Sequence, residues 1–261
     1  MLIIIYILVG IYLTVGVLYS LYQFIYTREK IRNLPINILF GPLMIPVALY
    51  KTHKDISYKD IYRKNYLKDK KVIIFGLNGT IIDSYKAWED VYTNVGFEID
   101  TVFAFENLPF GASVSDMWEF IFNYAKPNTL KSTEELTETT YKSLYKYSDS
   151  VLFNEDVVLF LAELKQNGYK TALVSNSRRE FVDKMLTKFN IPNAFDLIVT
   201  IDDVKNAKPS PDLYKMVLNH FQIGPKQALG FEGHEIGYLG LKKAKITPIL
   251  VENNSFDKTS I

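Results

Sequence analysis

Hydrophobic and polar positions change rhythm three times along this chain. Residues 2–26 carry no charged side chain and are mostly Ile, Leu, Val and Tyr. At about 1.5 Å per residue such a helix is about 37 Å long, more than the roughly 30 Å of bilayer hydrocarbon. Nothing basic precedes the run, and Arg28, Lys30 and Arg32 follow it at once. A retained transmembrane helix over 1–27 is therefore predicted in place of a cleaved signal, with membrane lipid its partner through residues 2–26. The basic flank puts the remainder on the cytoplasmic or matrix side. Residues 34–50 are apolar but broken by Pro35, Gly41, Pro42 and Pro46, too interrupted for a second span. Residues 51–70 interleave lysines with Ile56, Tyr58, Ile61, Tyr62, Tyr66 and Leu67. The whole of 28–70 reads as a membrane-proximal apolar and basic linker, within which 51–70 suits either a solvated amphipathic helix or a surface held to anionic lipid or a neighbouring subunit.

From 71 the rhythm alternates between strand and helix. Positions 72–75 form a short, wholly apolar run that stops at Gly76, the pattern of a strand covered on both faces. Further buried strands are predicted at 169–175, 196–200, 228–231 and 247–251. Helical periodicity fills 85–92, 115–124 and a long segment opened by Ser132-Thr133-Glu134-Glu135, which has capping-box form. Asn154 is placed as the cap of the next helix, and Gly168 as its end. Ser177-Arg178-Arg179-Glu180 forms another capping box, ahead of an apolar face of Phe181, Val182, Met185, Leu186 and Phe189. Ser210 caps a helix with Pro211 at its first position. Alternation of this kind predicts an α/β domain over 71–252: a Rossmann-like parallel sheet with helices on both faces, a helical cap inserted at about 85–150, and a polar tail at 253–261.

Composition narrows the chemistry. The 261 residues hold 30 Lys and Arg against 29 Asp and Glu, a net charge of +1, which favours no nucleic-acid partner. There is no cysteine, so disulfides, thiolate metal sites and cysteine nucleophiles are excluded.

Four stretches carry a resemblance. Lys71-Val72-Ile73-Ile74-Phe75-Gly76-Leu77-Asn78-Gly79-Thr80, followed by Asp83-Ser84, is similar to the first motif of the haloacid dehalogenase-like (HAD-like) hydrolases. The stretch ending Ser175-Asn176-Ser177 resembles the second motif, and Lys208-Pro209-Ser210-Pro211-Asp212 the third. Phe231-Glu232-Gly233-His234 with Gly237 resembles the fourth, and the insertion resembles the cap of the phosphoglucomutase and phosphoglycolate phosphatase branch. The resemblance implies a HAD-like fold and roles for matching positions. Gly76 stands where the family keeps its nucleophilic aspartate, Asn78 where it keeps the acid/base, and Gly233 where an aspartate helps hold Mg²⁺. Ser175 would bind the transferring phosphoryl group, and Lys208 would neutralise it.

Phosphoryl transfer through an aspartyl-phosphate needs the carboxylate itself, and Mg²⁺ wants carboxylate oxygens. The expectation is therefore no catalytic residue, no metal and no cofactor. Gly79, Thr80, Ser175, Asn176, Lys208 and Glu232 would remain either as a vestigial anion site or as a pocket plugged by a Lys208–Glu232 ion pair. The functional expectation is a membrane-anchored pseudoenzyme, not an enzyme: a structural or docking subunit of a membrane protein complex, with the mitochondrial inner membrane as its place. The alternatives are a non-catalytic sensor of a phosphorylated ligand and a residual phosphatase.

Overall fold

On strand β1 (Val72–Gly76) Val72 and Ile74 point to one face and Ile73 and Phe75 to the other, and all four are buried. That period of two, apolar on both sides, is what a strand sandwiched between helix layers requires. The computed structural model describes residues 65–99, 101 and 108–251, with Tyr12, Thr14 and Val17 near the N-terminus. Residues Met1–Asp55 and Ile56–Ile261 form separate units, and the fold below belongs to the second. Apart from Tyr12, Thr14 and Val17, the predicted anchor over 1–27 lies outside the described residues, as do nearly all of the linker and the tail at 253–261. Among the described residues no helix is long and apolar enough to cross a membrane.

After β1 a tight turn leads into a two-residue strand, β2 (Ile82–Asp83). Helices α1 (Tyr85–Glu98), α2 (Val114–Ala125) and α3 (Thr133–Leu144) follow, then a 3-10 turn over Tyr145–Ser150 and strand β3 (Leu152–Phe153). β2 and β3 pair antiparallel, Ile82 opposite Phe153, so the insertion leaves and rejoins the sheet domain through one short ribbon. The Ser132 capping box forms as its spacing predicts: the Ser132 hydroxyl accepts from the Glu135 amide at 3.2 Å and the Glu135 carboxylate accepts from the Ser132 amide at 2.8 Å. Ser113 caps α2 with its hydroxyl alone, which accepts from the Asp116 amide at 3.2 Å and donates to the Asp116 carboxylate at 2.7 Å, a cap absent from the sequence-based expectations. Inside the cap the Trp118 indole donates to the Thr140 hydroxyl at 2.8 Å, which satisfies the polar edge of a fully buried ring.

The remainder alternates: α4 (Glu155–Gln166), β4 (Lys170–Ser175), α5 (Arg179–Lys188), β5 (Leu197–Thr200), α6 (Asp212–His220), β6 (Ala228–Glu232), α7 (Glu235–Lys243) and β7 (Thr247–Leu250). The five long strands make one parallel sheet in the order β5-β4-β1-β6-β7. Phe75 is the hinge of one core layer. Its ring stacks on Phe231 at 5.3 Å and meets Phe160 edge-on at 6.0 Å, with α4, α5 and the cap on that face. The opposite face packs Val72, Ile74 and Val174 against Leu213, Tyr214 and Val217 of α6 and Leu241 of α7. The predicted α/β sheet with helices on both faces is therefore present, with a helical cap.

Three caps differ from the pattern reading. Ser177 does not open α5. The N-cap is Arg178, whose amide donates to the Tyr141 hydroxyl at 3.1 Å, while the Arg179 amide donates to Asp202 at 2.7 Å. Partners remote in sequence thus satisfy amides that a local box would have taken. α6 begins one residue later than expected, with Pro211 at the cap. Asn154 makes no side-chain cap bond and instead donates to the Thr80 carbonyl at 3.2 Å, tying the cap's return to the first turn.

Candidate active site

The sheet reverses direction of growth at β1: β4 and β5 lie to one side, β6 and β7 to the other. Parallel sheets place ligands outside the carboxyl ends of strands at such a switch point. Gly76, Ser175 and Glu232 end β1, β4 and β6 there. A cavity of about 400 Å³ opens between these strand ends and the cap. It brings together Asn78, Gly79, Ser175, Asn176, Lys208, Glu232 and Gly233, so seven of the nine positions singled out from the sequence line one space. Gly76 and Thr80 do not.

Lys208 and Glu232 face each other there. The Lys208 ammonium donates to Glu232 Oε1 at 2.7 Å and to the Val174 carbonyl at 2.9 Å, with both side chains 5% exposed. The Tyr214 hydroxyl lies 2.8 Å from the same oxygen and 2.9 Å from the Gly237 carbonyl. Burial, then the Glu232 charge, raises the Tyr214 phenol well above its ordinary pKa, so it stays a neutral donor. Tyr214 escaped the sequence reading because nothing local marks it: it reaches Glu232 only because α6 packs on the sheet face that carries Val72, Ile74 and Val174.

The three positions without carboxylates are each structurally committed. A Cβ on Gly76 would stand 2.4 Å from Glu232 Oε2, so the Glu232 carboxylate fills the room that a side chain at 76 would need. A Cβ on Gly233 would stand 2.3 Å from the Gly79 carbonyl carbon and oxygen, because the first turn descends onto it. Asn78 serves the turn: its carbonyl oxygen accepts from Ser84 at 2.8 Å and its amide donates to Ser177 at 3.2 Å.

The loop amides considered for anion binding are also used. Gly79, at φ +73°, donates to the Ile82 carbonyl at 2.8 Å, and Thr80 donates to the Leu77 carbonyl at 3.3 Å. Thr80 is fully buried, with its hydroxyl unpartnered among the described residues. Asn176 clamps the motif loops together, donating to the Gly111 carbonyl at 2.8 Å and accepting from the Lys208 amide at 2.8 Å. Ser175 accepts from the Ser177 amide at 3.0 Å, an arrangement that leaves its hydroxyl proton to donate into the cavity.

Mg²⁺ takes about six oxygen ligands at roughly 2.0–2.1 Å. Among the described residues no three His, Cys, Asp or Glu side chains gather to hold a metal, and the Asn78 oxygen is already engaged. The residues at this sheet edge do not compose a magnesium site.

His234 sits between turn and cap. Its ring lies 6.3 Å from Phe110, and Cβ atoms built on Gly79 and Gly111 would meet it at 3.0 and 2.9 Å. Burial first, then the Lys208 charge, pushes its imidazole down to about 4, with Asp83 opposing weakly, so it is neutral at pH 7. The unfolded chain takes that proton near pH 6.5 and the folded one only near 4. Between those values the unfolded state holds more protons, so stability falls as pH falls, by about 3 kcal/mol for this group once pH is below 4. Urea midpoints at pH 7 and 4.5 should separate further in the wild type than in His234→Gln. Equal slopes in the two proteins would remove the imidazole from this account.

The chain matches the haloacid dehalogenase-like hydrolase family over residues 73–251. It is 30% identical over 177 residues to the pyrophosphatase PpaX of Bacillus velezensis, covering 62% of this chain and 75% of that protein. It is 26% identical over 182 residues to the validoxylamine A 7'-phosphate phosphatase of Streptomyces hygroscopicus subsp. limoneus, covering 67% and 83%. Among solved structures it is similar to CbbY from Rhodobacter sphaeroides in complex with phosphate. The TM-score there is 0.64 at 16% identity, over 74% of this chain and 90% of that one, a likeness of fold.

These relatives correct three expectations. A non-catalytic structural or docking subunit, and with it the label pseudoenzyme, gives way to a phosphatase kinship: the relatives are phosphatases by name, and the Lys208 pocket stands open beneath the cap. The alternative of a non-catalytic sensor gives way with it. The single-pass location in the mitochondrial inner membrane is not upheld either, since no described helix can span a bilayer and the kinship is to bacterial phosphatases. Four motifs on the strand ends of a five-stranded parallel sheet, a cap entering through one ribbon, and a family match across that whole span agree: the chain belongs to the haloacid dehalogenase-like hydrolases.

Proposed function

We propose that this chain hydrolyses a small phosphate ester held between the sheet edge and the cap. One observation carries the reading: a buried lysine, Lys208, lines a cavity at the switch point beside Ser175, whose hydroxyl proton is available. A cation and a hydroxyl donor in a partly dehydrated site suit a phosphoryl group, whose charge they meet far more strongly than in water. The kinship to named phosphatases supports hydrolysis as the reaction. With glycine at 76 there is no side chain to form a phospho-enzyme at that position, so the attacking oxygen comes from water. Its proton passes to a pocket-lining acceptor, for which Asp83, Glu232 and His234 are in place, and the leaving oxygen is protonated in turn from solvent.

Full-length protein incubated with phenyl phosphate, glucose 6-phosphate and pyrophosphate should release inorganic phosphate from at least one. Lys208→Met combined with Glu232→Gln removes both buried charges together, and should lower that release by about a hundredfold or more. Wild-type protein that releases phosphate from none of the three, or a double variant as active as wild type, would overturn the reading.

A further inference from the structure

The cavity has two unlike ends. The charged side chains that line it among the described residues, Asp83, Lys208 and Glu232, come from the end of β2, the Lys208 loop and the end of β6. Among the described residues the cap helices and the loop between them add no charged side chain to the lining. Its wall is Tyr85, Trp88 and Tyr92 of α1, Phe110 from the following loop, and Met117 of α2. These rings already form a surface: Tyr85 and Phe110 lie 5.1 Å apart at 34°, and Trp88 and Tyr92 6.0 Å apart at 31°. Trp88 is held from behind by Tyr141 at 6.2 Å and Phe181 at 5.7 Å, so its orientation is set by the core.

The geometry points to a phosphate monoester whose organic part is a planar, largely apolar ring. This rests on the phosphate end proposed above. A ring would lie against the aromatic wall with its phosphoryl oxygens toward Lys208 and Ser175. The rivals fit this cavity less well. A sugar phosphate carries several hydroxyls, and against this wall only the Tyr85 and Tyr92 phenols and the Trp88 indole could meet them, so most would lose their water partners without gaining a protein one. Pyrophosphate or a bisphosphate needs a second cation, and Lys208 is the only Lys or Arg lining the cavity among the described residues. A volume of about 400 Å³ accommodates a one- or two-ring ester, within the ordinary range for small-molecule sites.

The test is titration calorimetry on the full-length chain with 1-naphthyl phosphate, glucose 6-phosphate, pyrophosphate and inorganic phosphate, with phosphate release followed in parallel. The naphthyl ester should bind at least about tenfold more tightly than the other three, the gain expected of one good stacking contact. Trp88→Ala should erase that preference while leaving inorganic phosphate binding within about twofold. Phe110→Leu, a milder change in a half-buried loop residue, should reduce it in the same direction if Trp88→Ala fails to fold. Glucose 6-phosphate or pyrophosphate binding as tightly as the naphthyl ester, with phosphate still released, would defeat the substrate class and leave hydrolysis standing. An intact aryl preference with no phosphate released from any probe would defeat hydrolysis and leave the class standing. A preference unchanged by both substitutions would remove the aromatic wall as its source.

Discussion

Lys208→Met should destabilise the protein by about 3–5 kcal/mol. Lys208 and Glu232 are each 5% exposed and 2.7 Å apart, so removal of the ammonium strands a carboxylate in a place that water barely reaches. The Tyr214 hydroxyl would be the remaining donor to Glu232 Oε1, and one neutral hydrogen bond offsets only a part of an unpaired charge. The Val174 carbonyl would lose its 2.9 Å donor as well. Glu232→Gln on its own should cost less, since Lys208 keeps the Val174 carbonyl and the amide oxygen can still accept. The double variant should recover most of the loss, because a neutral pair of similar volume often packs as well as a buried ion pair. Urea unfolding of the four proteins closes the cycle, and the coupling energy is the quantity of interest. A Lys208→Met midpoint shifted by less than about 1 kcal/mol would mean that the pair does not hold this edge together.

Putting the family's aspartates back should damage the fold. Gly233→Asp places a Cβ 2.3 Å from the backbone of Gly79, and backbone cannot rotate away as a side-chain tip can. Either the turn lifts or the start of α7 shifts, at a cost of about 3 kcal/mol or more. Gly76→Asp meets the Glu232 carboxylate at 2.4 Å, a side-chain atom but one fixed by Lys208 and Tyr214, and it adds a like charge in a buried place. The alanine versions isolate sterics from charge: Gly233→Ala should cost more than Gly76→Ala. In a domain of this size each kcal/mol moves the melting temperature by roughly 2–4 °C. Thermal melts that rank the two alanine variants in the opposite order would show that the first turn is softer than its hydrogen bonds imply.

Both predictions concern residues that were legible in the sequence in one sense and not in another. The motif frame at 76–84, 175–177, 208–212 and 231–237 is local, a matter of turn residues at the ends of apolar runs. The same holds for the alternation that gives five parallel strands, since a doubly covered strand has to be continuously apolar whatever its neighbours are. The Ser132 box is local too and formed as written. Ser177 shows the limit: a box of the right composition yielded to Asp202 and Tyr141, which are far away in the chain and better placed.

What the residues determined alone was the list of parts and the absence of a side chain at 76 and 233. Tertiary structure decided how those gaps are filled. The Glu232 carboxylate against Gly76 and the Gly79 backbone against Gly233 are contacts between segments more than 150 residues apart, invisible to any periodicity. Tyr214 on Glu232 and the aromatic wall over the cavity depend likewise on which helix the sheet twist brings across which strand end. Local pattern governs the propensity of each segment, because capping and apolar rhythm act over a few residues. Close packing governs what meets at the switch point, because only there do the ends of β1, β4 and β6 compete for one volume.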